Sequence, residues 1–190
     1  MKILILVFYY SPDLSAGSFK NLALVNELSK QIGENNSIEV ITTHPSRYAS
    51  FKQNAADIDK MGNVTIRRIR LPSLGGGFLG QAFDFLFYAT NVISLARKER
   101  YDLVYASSSR LMTASLGALV STMQKAAYYV DIRDIFVDTI HELFPARYTF
   151  FLRPILTMVE RMTLLQASKI NLVSAGFANY FSKRYPNIDK

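Results

Sequence analysis

The residues best suited to chemistry follow an apolar run in the stretch "AAYYVDIRDIFVD". Asp131, Arg133, Asp134 and Asp138 crowd together there at the end of a predicted strand. Charged groups at such a place need partners or a ligand, because an unpaired buried charge is costly. Two interpretations stay open. An internal Arg–Asp ion pair could hold the loop, or Asp131 or Asp134 could receive a substrate hydroxyl or proton while Arg133 binds an anion.

A second candidate site lies near the start of the chain, in "FYYSPDLSAGSFKNLA". An apolar stretch ends there, and a helical pattern begins with Gly17 at its start. Glycine has no Cβ, so the backbone could approach a phosphate or a sugar closely, and the amides of a helix N-terminus favour anions. The other interpretation is that Gly17 only permits a tight turn. The stretch matches neither the Walker loop nor the G-x-G-x-x-G fingerprint of dinucleotide sites.

Other reactive residue types give weaker indications. His44 and His141 are the only histidines, and each could be a base or an ordinary loop residue. Two histidines without any cysteine do not predict a metal site. No G-x-S-x-G sequence supports a hydrolase triad. The serines at 107–109 are more typical of a turn and a helix cap than of a nucleophile.

Alternating apolar and helical patterns predict the elements that position these residues. The strand candidates are Lys2–Tyr9, Ser37–Thr43, Asn63–Leu71, Asp102–Ser107, Ala126–Ile132 and Lys169–Ser174. The helix candidates are Gly17–Ile32, Phe78–Arg97, Leu111–Met123, Phe150–Gln166 and 175–185, and residues 44–62 are predicted to form a loop without periodicity. Strands that alternate with helices give an α/β fold with a doubly wound, mostly parallel, Rossmann-like sheet. In such sheets, ligands bind beyond the carboxyl ends of the strands, where both candidate sites would lie.

Three segments are strongly apolar. The chain start is predicted to be a buried strand rather than a signal peptide, since Asp13 follows closely and no A-x-A pattern is present. The helix Phe78–Ala96 is interrupted by polar residues that are costly in hydrocarbon, so it is predicted to be mostly buried. We predict that its aromatic residues belong to the core rather than to a docking face. These residues are Phe83, Phe85, Phe87 and Tyr88. The third segment is Phe150–Gln166, and it carries one apolar stripe typical of an amphipathic helix. The stripe is formed by Phe151, Ile155, Met158, Val159, Met162 and Leu165.

Composition limits the class of protein. The 190 residues suffice for one sizeable core, and 49% of them are apolar, which argues against disorder. The absence of cysteine excludes a disulfide framework and suits a cytoplasmic location. A net charge of +7 favours anionic partners such as phosphates, nucleic acid or an acidic membrane face. No nucleic-acid recognition motif accompanies the charge, so nucleic acid is not an expected partner.

The motifs together resemble the N-terminal domain of a family 4 glycosyltransferase with the GT-B fold, most closely those that build bacterial surface polysaccharides such as O-antigen or capsule. The resemblance covers essentially all 190 residues. It rests on "MKILILVFYYSPDLSAGSFKNLALVNELSK", on "YDLVYASS" and on "ERMTLLQASKINLVSAGF".

The resemblance implies a nucleotide-sugar-dependent transferase of the retaining type. It would move a hexosyl or N-acetylamino sugar from a UDP- or GDP-linked donor to a glycan or lipid-linked acceptor, with no further cofactor and no metal. Ala16, Gly17 and Ser18 would face the donor diphosphate. The catalytic residues would be Asp131, Arg133 and Asp134 at the cleft floor, with Arg133 where many members carry a histidine. A D-x-R-D version is similar to a subgroup acting on amino- or deoxy-sugars.

The resemblance also implies a domain organisation. Residues 1–190 would be the acceptor-side half of a GT-B enzyme, and the donor-binding C-terminal domain would be absent from this chain, which alone would be inactive. The enzyme would be cytoplasmic, with its basic face and the Phe78–Ala96 helix held against an anionic inner membrane leaflet. The alternative is a non-catalytic sugar- or nucleotide-binding or docking module.

Overall fold

The computed structural model describes residues 1–46, 54–72, 77–108, 110–138, 146–186 and 188. The chain divides into two structural units, Met1–Leu103 and Val104–Lys190. None of the helices in the described ranges is long and apolar enough to cross a bilayer.

In the described ranges of the first unit, four strands form a sheet and two helices accompany it. In chain order its elements are β1 (Lys2–Leu6), α1 (Ala16–Ile32), β2 (Ser37–Thr43), β3 (Ile58–Met61), β4 (Val64–Ile69) and α2 (Phe78–Ala96). The strands lie in the order β3-β4-β2-β1. β1 and β4 each pair in parallel with β2, and β3 is antiparallel to β4. The order β4-β2-β1 is that of one half of a doubly wound sheet.

β1 and β2 form the core of this unit, because nearly all their residues are buried. Every residue from Ile3 to Phe8 is buried, as expected of a central parallel strand with both faces covered. Phe8 contacts Tyr88 of α2 edge to face, with ring centroids 5.1 Å apart. The Tyr88 hydroxyl donates to the carbonyl oxygen of Ile41 at 3.0 Å, which satisfies a polar group that is otherwise fully enclosed.

Within the described residues, the second unit has three strands, three helices with defined bounds and a short helical stretch at 136–138. Its elements are β5 (Leu103–Ser108), α3 (Leu111–Gln124), β6 (Ala127–Ile132), α4 (Ala146–Gln166), β7 (Lys169–Leu172) and α5 (Ala175–Arg184). The strands lie in the order β5-β6-β7, with β6 and β7 parallel. At Gly117, α3 packs so closely that an added Cβ would lie 2.5 Å from the Cβ of Ala106 on β5.

These arrangements confirm the predicted α/β, mostly parallel, Rossmann-like class. β2 has the predicted bounds, and the other predicted strands are present with shifts at their ends. Gly33 follows α1 with φ of 74°, the left-handed region expected of a glycine at a helix end. The GT-B assignment stays a prediction.

The prediction of a structureless loop at 44–62 was wrong in part, because β3 lies within it. The "GN" pair at Gly62 and Asn63 joins β3 to β4, with Gly62 at φ of 57°. Gly-Asn between two strands is a hairpin sequence. The strand was missed because an edge strand with exposed residues lacks a long apolar pattern.

The prediction that α2 is mostly buried was also wrong. Tyr88, Val92 and Ala96 are buried, but Leu79 and Leu86 are 81% and 62% exposed. Phe83 and Phe87 are exposed as well, so they are not core residues as predicted. A helix of 3.6 residues per turn that packs on one side buries one stripe, however apolar its remainder is.

The predicted fourth helix begins earlier than expected, at Ala146 instead of Phe150, and shows a different face to the interior. Its apolar stripe is largely exposed, and the buried residues are Glu160, Thr163 and Leu164. Glu160 accepts a hydrogen bond from the hydroxyl of Tyr185 at 2.6 Å, and Thr163 lies 2.9 Å from Ser115. Polar partners, rather than apolar area, therefore set the orientation of α4.

A buried carboxylate joins the strands of the first unit. Glu39 on β2 is 3% exposed and accepts hydrogen bonds from Arg67 at 2.5 Å and from the Tyr101 hydroxyl at 2.7 Å, while Lys2 lies 3.3 Å away. Burial by itself would raise the pKa of Glu39. The hydrogen bonds from Tyr101 and Arg67 and the charges of Lys2 and Arg67 outweigh it and hold the pKa below its usual value.

We predict that Glu39→Gln lowers the free energy of unfolding by about 2–3 kcal/mol, because a buried charged acceptor is lost. A depressed folded pKa stabilises the fold above the unfolded value of about 4.3, and this contribution disappears as the pH falls through the folded pKa. Urea unfolding at a series of pH values should therefore show the difference between wild type and variant shrink toward acid. The exposed Glu34→Gln is the matched control, with a change within about 0.5 kcal/mol. Equal effects of the two substitutions would contradict the prediction.

Candidate functional site

Polar side chains collect at the carboxyl ends of the three strands of the second unit. Ser107 and Ser108 end β5, Asp131 lies one residue before the end of β6, and Asn171 lies at the same level of β7, paired in register with Asp131. This is the edge at which parallel α/β sheets bind ligands. We call it the strand-end site.

Asp131 is enclosed at the base of the strand-end site. It is 0% exposed, and its two carboxylate oxygens accept from Asn171 Nδ2 at 2.6 Å and from Ser107 Oγ at 3.4 Å. Burial, together with the neighbouring charge of Asp131, raises the pKa of Tyr105. Because these donors enclose the carboxylate, its geometry is that of a residue that positions others, and direct contact between Asp131 and substrate stays an untested prediction.

Arg133 has the opposite character. Its backbone amide donates to Ser108 Oγ at 3.1 Å, which fixes the chain, while the side chain is half-buried. The Nη1 atom is buried without a hydrogen-bond partner. Among the described residues, no carboxylate lies within ion-pair distance of its guanidinium group. Asp138 instead lies 3.4 Å from Arg153 and 3.5 Å from Arg184. The internal ion pair that the sequence left open is thus not formed by Arg133 in this part of the chain.

Asp134 is the acidic group of the strand-end site that solvent reaches. Its side chain is exposed, yet partial burial of the carboxyl raises its pKa, and the opposing charge of Arg133 does not cancel the effect. A carboxylate with a raised pKa is a better proton acceptor than an ordinary one. The residues predicted as catalytic therefore divide into a buried group, Asp131, and two groups that a ligand could contact.

The start of α3 adds a helix N-terminus and a buried hydroxyl group to these residues. Arg110 precedes the helix without a side-chain hydrogen bond that caps it, and the Thr113 Oγ1 atom is buried without a partner. The first amides of a helix have no partner within it, and the helix dipole makes this end electropositive. An anion at the carboxyl end of β5 would therefore meet amides, hydroxyls and a guanidinium group.

The predicted donor loop in the first unit is also a helix start. Ser15 caps α1, and its Oγ accepts from the amide of Ser18 at 3.1 Å. Ala16 is exposed, Gly17 is half-buried and Ser18 is fully buried. The side-chain oxygens Oγ of Ser18 and Oδ1 of Asn21 are buried without hydrogen-bond partners.

The fold itself does not require glycine at position 17. An added Cβ would meet nothing closer than Ser15 Oγ at 3.9 Å, and the φ of Gly17 is not positive. A tight turn therefore does not explain this glycine. The role of Ala16, Gly17 and Ser18 in binding a diphosphate stays a prediction.

Arg68 on β4 holds the loop that leads to α1. Its guanidinium group donates to the carbonyl oxygens of Ser11 and Ala56, both at 3.0 Å, and pairs with Asp59. The side chain is only 5% exposed, so its charge is satisfied internally rather than by solvent.

Of the two histidines, His44 is the one that the structure describes, directly after the end of β2. His44 lies 2.7 Å from Asp57, which also pairs with Arg70 at 2.8 Å. Hydrogen bonds from Arg70 and His44 hold the pKa of Asp57 below its usual value. His141 lies outside the described residues. Within the described ranges, no three acidic or histidine side chains gather as metal ligands would.

Sequence reasoning missed Thr113 and Asn171 as members of the strand-end site. Asn171 interrupts the short strand "KINL", and asparagine is depleted in strands, so its position was a usable indication of a special role. Thr113 had no such mark, because threonine is an ordinary residue near a helix start.

Comparisons with known proteins give likenesses among solved structures. No protein-family model matches the chain, and no curated protein matches it. Among solved structures, the chain is similar to a UGT transferase from Siraitia grosvenorii in complex with UDP, with 12% identity and a TM-score of 0.49. The match covers 90% of this chain and 44% of that chain, so this chain spans less than half of its length. Because one fold hosts many functions, a likeness of this extent has no bearing on activity.

We predict that Asp131→Asn lowers the free energy of unfolding by about 2–4 kcal/mol. The amide would present a donor to Asn171 or Ser107 where an acceptor is needed, inside a buried site. Urea unfolding measures the change. The matched control is Asp134→Asn, an exposed aspartate three residues away, for which a change within about 0.5 kcal/mol is expected. A neutral Asp131→Asn would show that the carboxylate does not hold the strand ends.

Proposed function

We propose that this chain is the acceptor-side half of a nucleotide-sugar-dependent glycosyltransferase of the retaining type, acting in the synthesis of a surface polysaccharide such as O-antigen or capsule. The support comes from the residues named above: motifs that resemble family 4 glycosyltransferases, and a strand-end site whose free groups suit an anionic, hydroxyl-bearing ligand. In this proposal the donor is a UDP- or GDP-sugar and the acceptor is a glycan or a lipid-linked glycan.

The observation that carries the proposal is the unpaired Nη1 atom of Arg133. A buried guanidinium nitrogen without an acceptor costs free energy, and an anionic oxygen would remove that cost. The start of α3 adds the Thr113 hydroxyl and the electropositive end of a helix at the same strand ends. We propose that this group of donors binds phosphate or carboxylate oxygens of the substrate.

Asp134 would handle the proton of the reaction. Its side chain is exposed and its pKa is raised, which suits a group that accepts the proton of a sugar hydroxyl or holds that hydroxyl in place. In the proposal, Asp131 supports Arg133 and Asp134 from below through Ser107 and Asn171, and does not touch the substrate.

The first unit would contribute the loop Ala16, Gly17 and Ser18. Three features of this loop suit close contact with a diphosphate or a sugar hydroxyl. The fold does not require the glycine, the side-chain oxygens of Ser18 and Asn21 are buried without hydrogen-bond partners, and the loop leads into the amides of a helix start. The donor-binding half would be a further domain, and this chain alone would not turn over nucleotide sugar. The enzyme would work in the cytoplasm at a membrane face where a lipid-linked acceptor is available.

The first test measures UDP, GDP and inorganic pyrophosphate binding to the 190-residue chain by calorimetry. We expect Arg133→Gln to weaken binding by about ten- to a hundredfold, the value of one or two hydrogen bonds to a charged group. Arg100→Gln, at an exposed arginine, removes the same charge and should leave the affinity nearly unchanged. Equal losses in both variants would mean unspecific attraction to a basic protein and would contradict the proposal.

Turnover separates the enzyme from the binding module. Transfer from UDP- and GDP-sugars to a lipid-linked acceptor is measured with this chain and a donor-binding domain together. Arg133→Gln should abolish transfer while circular dichroism stays unchanged. Nucleotide binding without any transfer by the wild-type assembly would favour the non-catalytic module instead.

We further predict that Gly17→Ala preserves or raises stability by about 0.5–1 kcal/mol, because alanine favours a helix, yet weakens nucleotide binding at least about tenfold. The matched control is Gly176→Ala, since both glycines follow a Ser-Ala pair at a helix start and both have room for a Cβ. Thermal unfolding and calorimetry check the two effects. Unchanged affinity in Gly17→Ala would remove this loop from the site.

A further inference from the structure

The outer face of α4 is an exposed apolar stripe. Six large apolar side chains there are between 47% and 75% exposed, namely Phe150, Phe151, Ile155, Met158, Met162 and Leu165. At 1.5 Å per residue, they extend over about 22 Å along the helix. A continuous exposed stripe of this kind indicates an interaction surface.

The stripe is not an unpacked core face. The opposite side of α4 is fixed by the contact of Thr163 Oγ1 with Ser115 Oγ on α3 at 2.9 Å and by the hydrogen bond from the Tyr185 hydroxyl to Glu160 at 2.6 Å. Arg184 Nη2 also donates to Thr157 Oγ1 at 2.9 Å. Rotating α4 to bury the stripe would break the contacts of Glu160 and Thr157. These contacts therefore hold the stripe on the outer side of the helix.

Positive charge borders the stripe. Arg153 and Arg161 are exposed on α4, whereas its only described acidic residue, Glu160, is 3% exposed. A groove of about 790 Å³ beside the helix is lined by Arg153, Arg161 and Arg184 together with apolar side chains. Asp138 neutralises part of this charge, since it lies within 3.5 Å of Arg153 and Arg184. In the described part of α4 and α5, Arg161 makes no ion pair.

We propose that α4 docks the second unit onto a lipid bilayer with anionic headgroups. The phenylalanine, isoleucine and methionine side chains enter the boundary between headgroups and acyl chains, and the arginines contact lipid phosphates, as a basic amphipathic helix does. A second copy of the chain fits less well, because a self-complementary contact would bring the arginines of both stripes together. The inference deepens the proposed function, which places the enzyme at a membrane face. Vesicle binding is measured separately from nucleotide binding, so the two proposals can fail independently.

The other exposed apolar helix lacks the matching charge. α2 exposes Leu79 and Leu86, but its only charged residue is Asp84, and it contains no lysine or arginine. An anionic surface would repel it rather than attract it. The membrane contact that the sequence indicated for α2 is therefore assigned to α4, and α2 becomes the natural control.

The experiment is flotation of the 190-residue chain with phosphatidylcholine vesicles, with and without phosphatidylglycerol. The wild type should bind only vesicles with phosphatidylglycerol, and less at high salt. Ile155→Glu with Met162→Glu should reduce binding at least about tenfold. Leu79→Glu with Leu86→Glu introduces the same charges at the same seven-residue spacing on α2 and should leave most binding intact. Circular dichroism verifies that all variants fold.

A third variant, Arg153→Gln with Arg161→Gln, should lose the preference for phosphatidylglycerol, and soluble glycerol phosphate should not compete with vesicles. The proposal is overturned if the wild type does not bind, if the α2 and α4 variants lose binding equally, or if glycerol phosphate displaces the protein. It is also overturned if sedimentation shows a dimer that the α4 variant alone dissociates, because the stripe would then be a contact between copies.

Discussion

The ends of the second unit's strands depend on one buried carboxylate. Asp131 is fully enclosed and accepts hydrogen bonds from β5 through Ser107 and from β7 through Asn171. A charge at such depth is tolerable only with good donors around it. The same requirement fixes where the chain leaves β6, and hence where Arg133 and Asp134 lie. The hydrogen bonds to Asp131 therefore determine where the side chains of the strand-end site lie, whereas apolar packing stabilises the strands themselves.

Much of the fold could be predicted because buried parallel strands leave a strong mark on a sequence. The run from Lys2 and the strand Ser37–Thr43 were recognisable because each strand has apolar residues on both of its faces. β3 escaped since an exposed edge strand has no such run. The orientations of α2 and α4 escaped for another reason. Apolar periodicity shows that a helix has an apolar face, but not whether a neighbour exists to cover it.

The location of the strand-end site could be predicted from the sequence, but the roles of its individual residues could not. Ligands bind at the carboxyl ends of strands in an α/β sheet, and "DIRD" was identified because it places charged residues there. The sequence could not show that Asp131 is enclosed while Asp134 faces solvent, because the alternation along β6 stops where the strand ends. Nor could it show that Ser108 fixes the backbone of Arg133 from a different strand. Burial and hydrogen bonds of this kind depend on residues that are distant in sequence and meet only in the folded structure.

The clamp formed by Arg68 has a consequence for how this protein could diversify. One guanidinium group joins the carbonyl oxygens of Ser11 and Ala56, so the approach to α1 is mechanically coupled to the segment just before the β3–β4 hairpin. A lengthened or shortened hairpin would shift Arg68 and with it the loop ahead of Gly17, without any substitution in that loop. Natural variation in ligand preference could thus arise from insertions and deletions at an edge hairpin, remote in sequence from the residues that would touch the ligand.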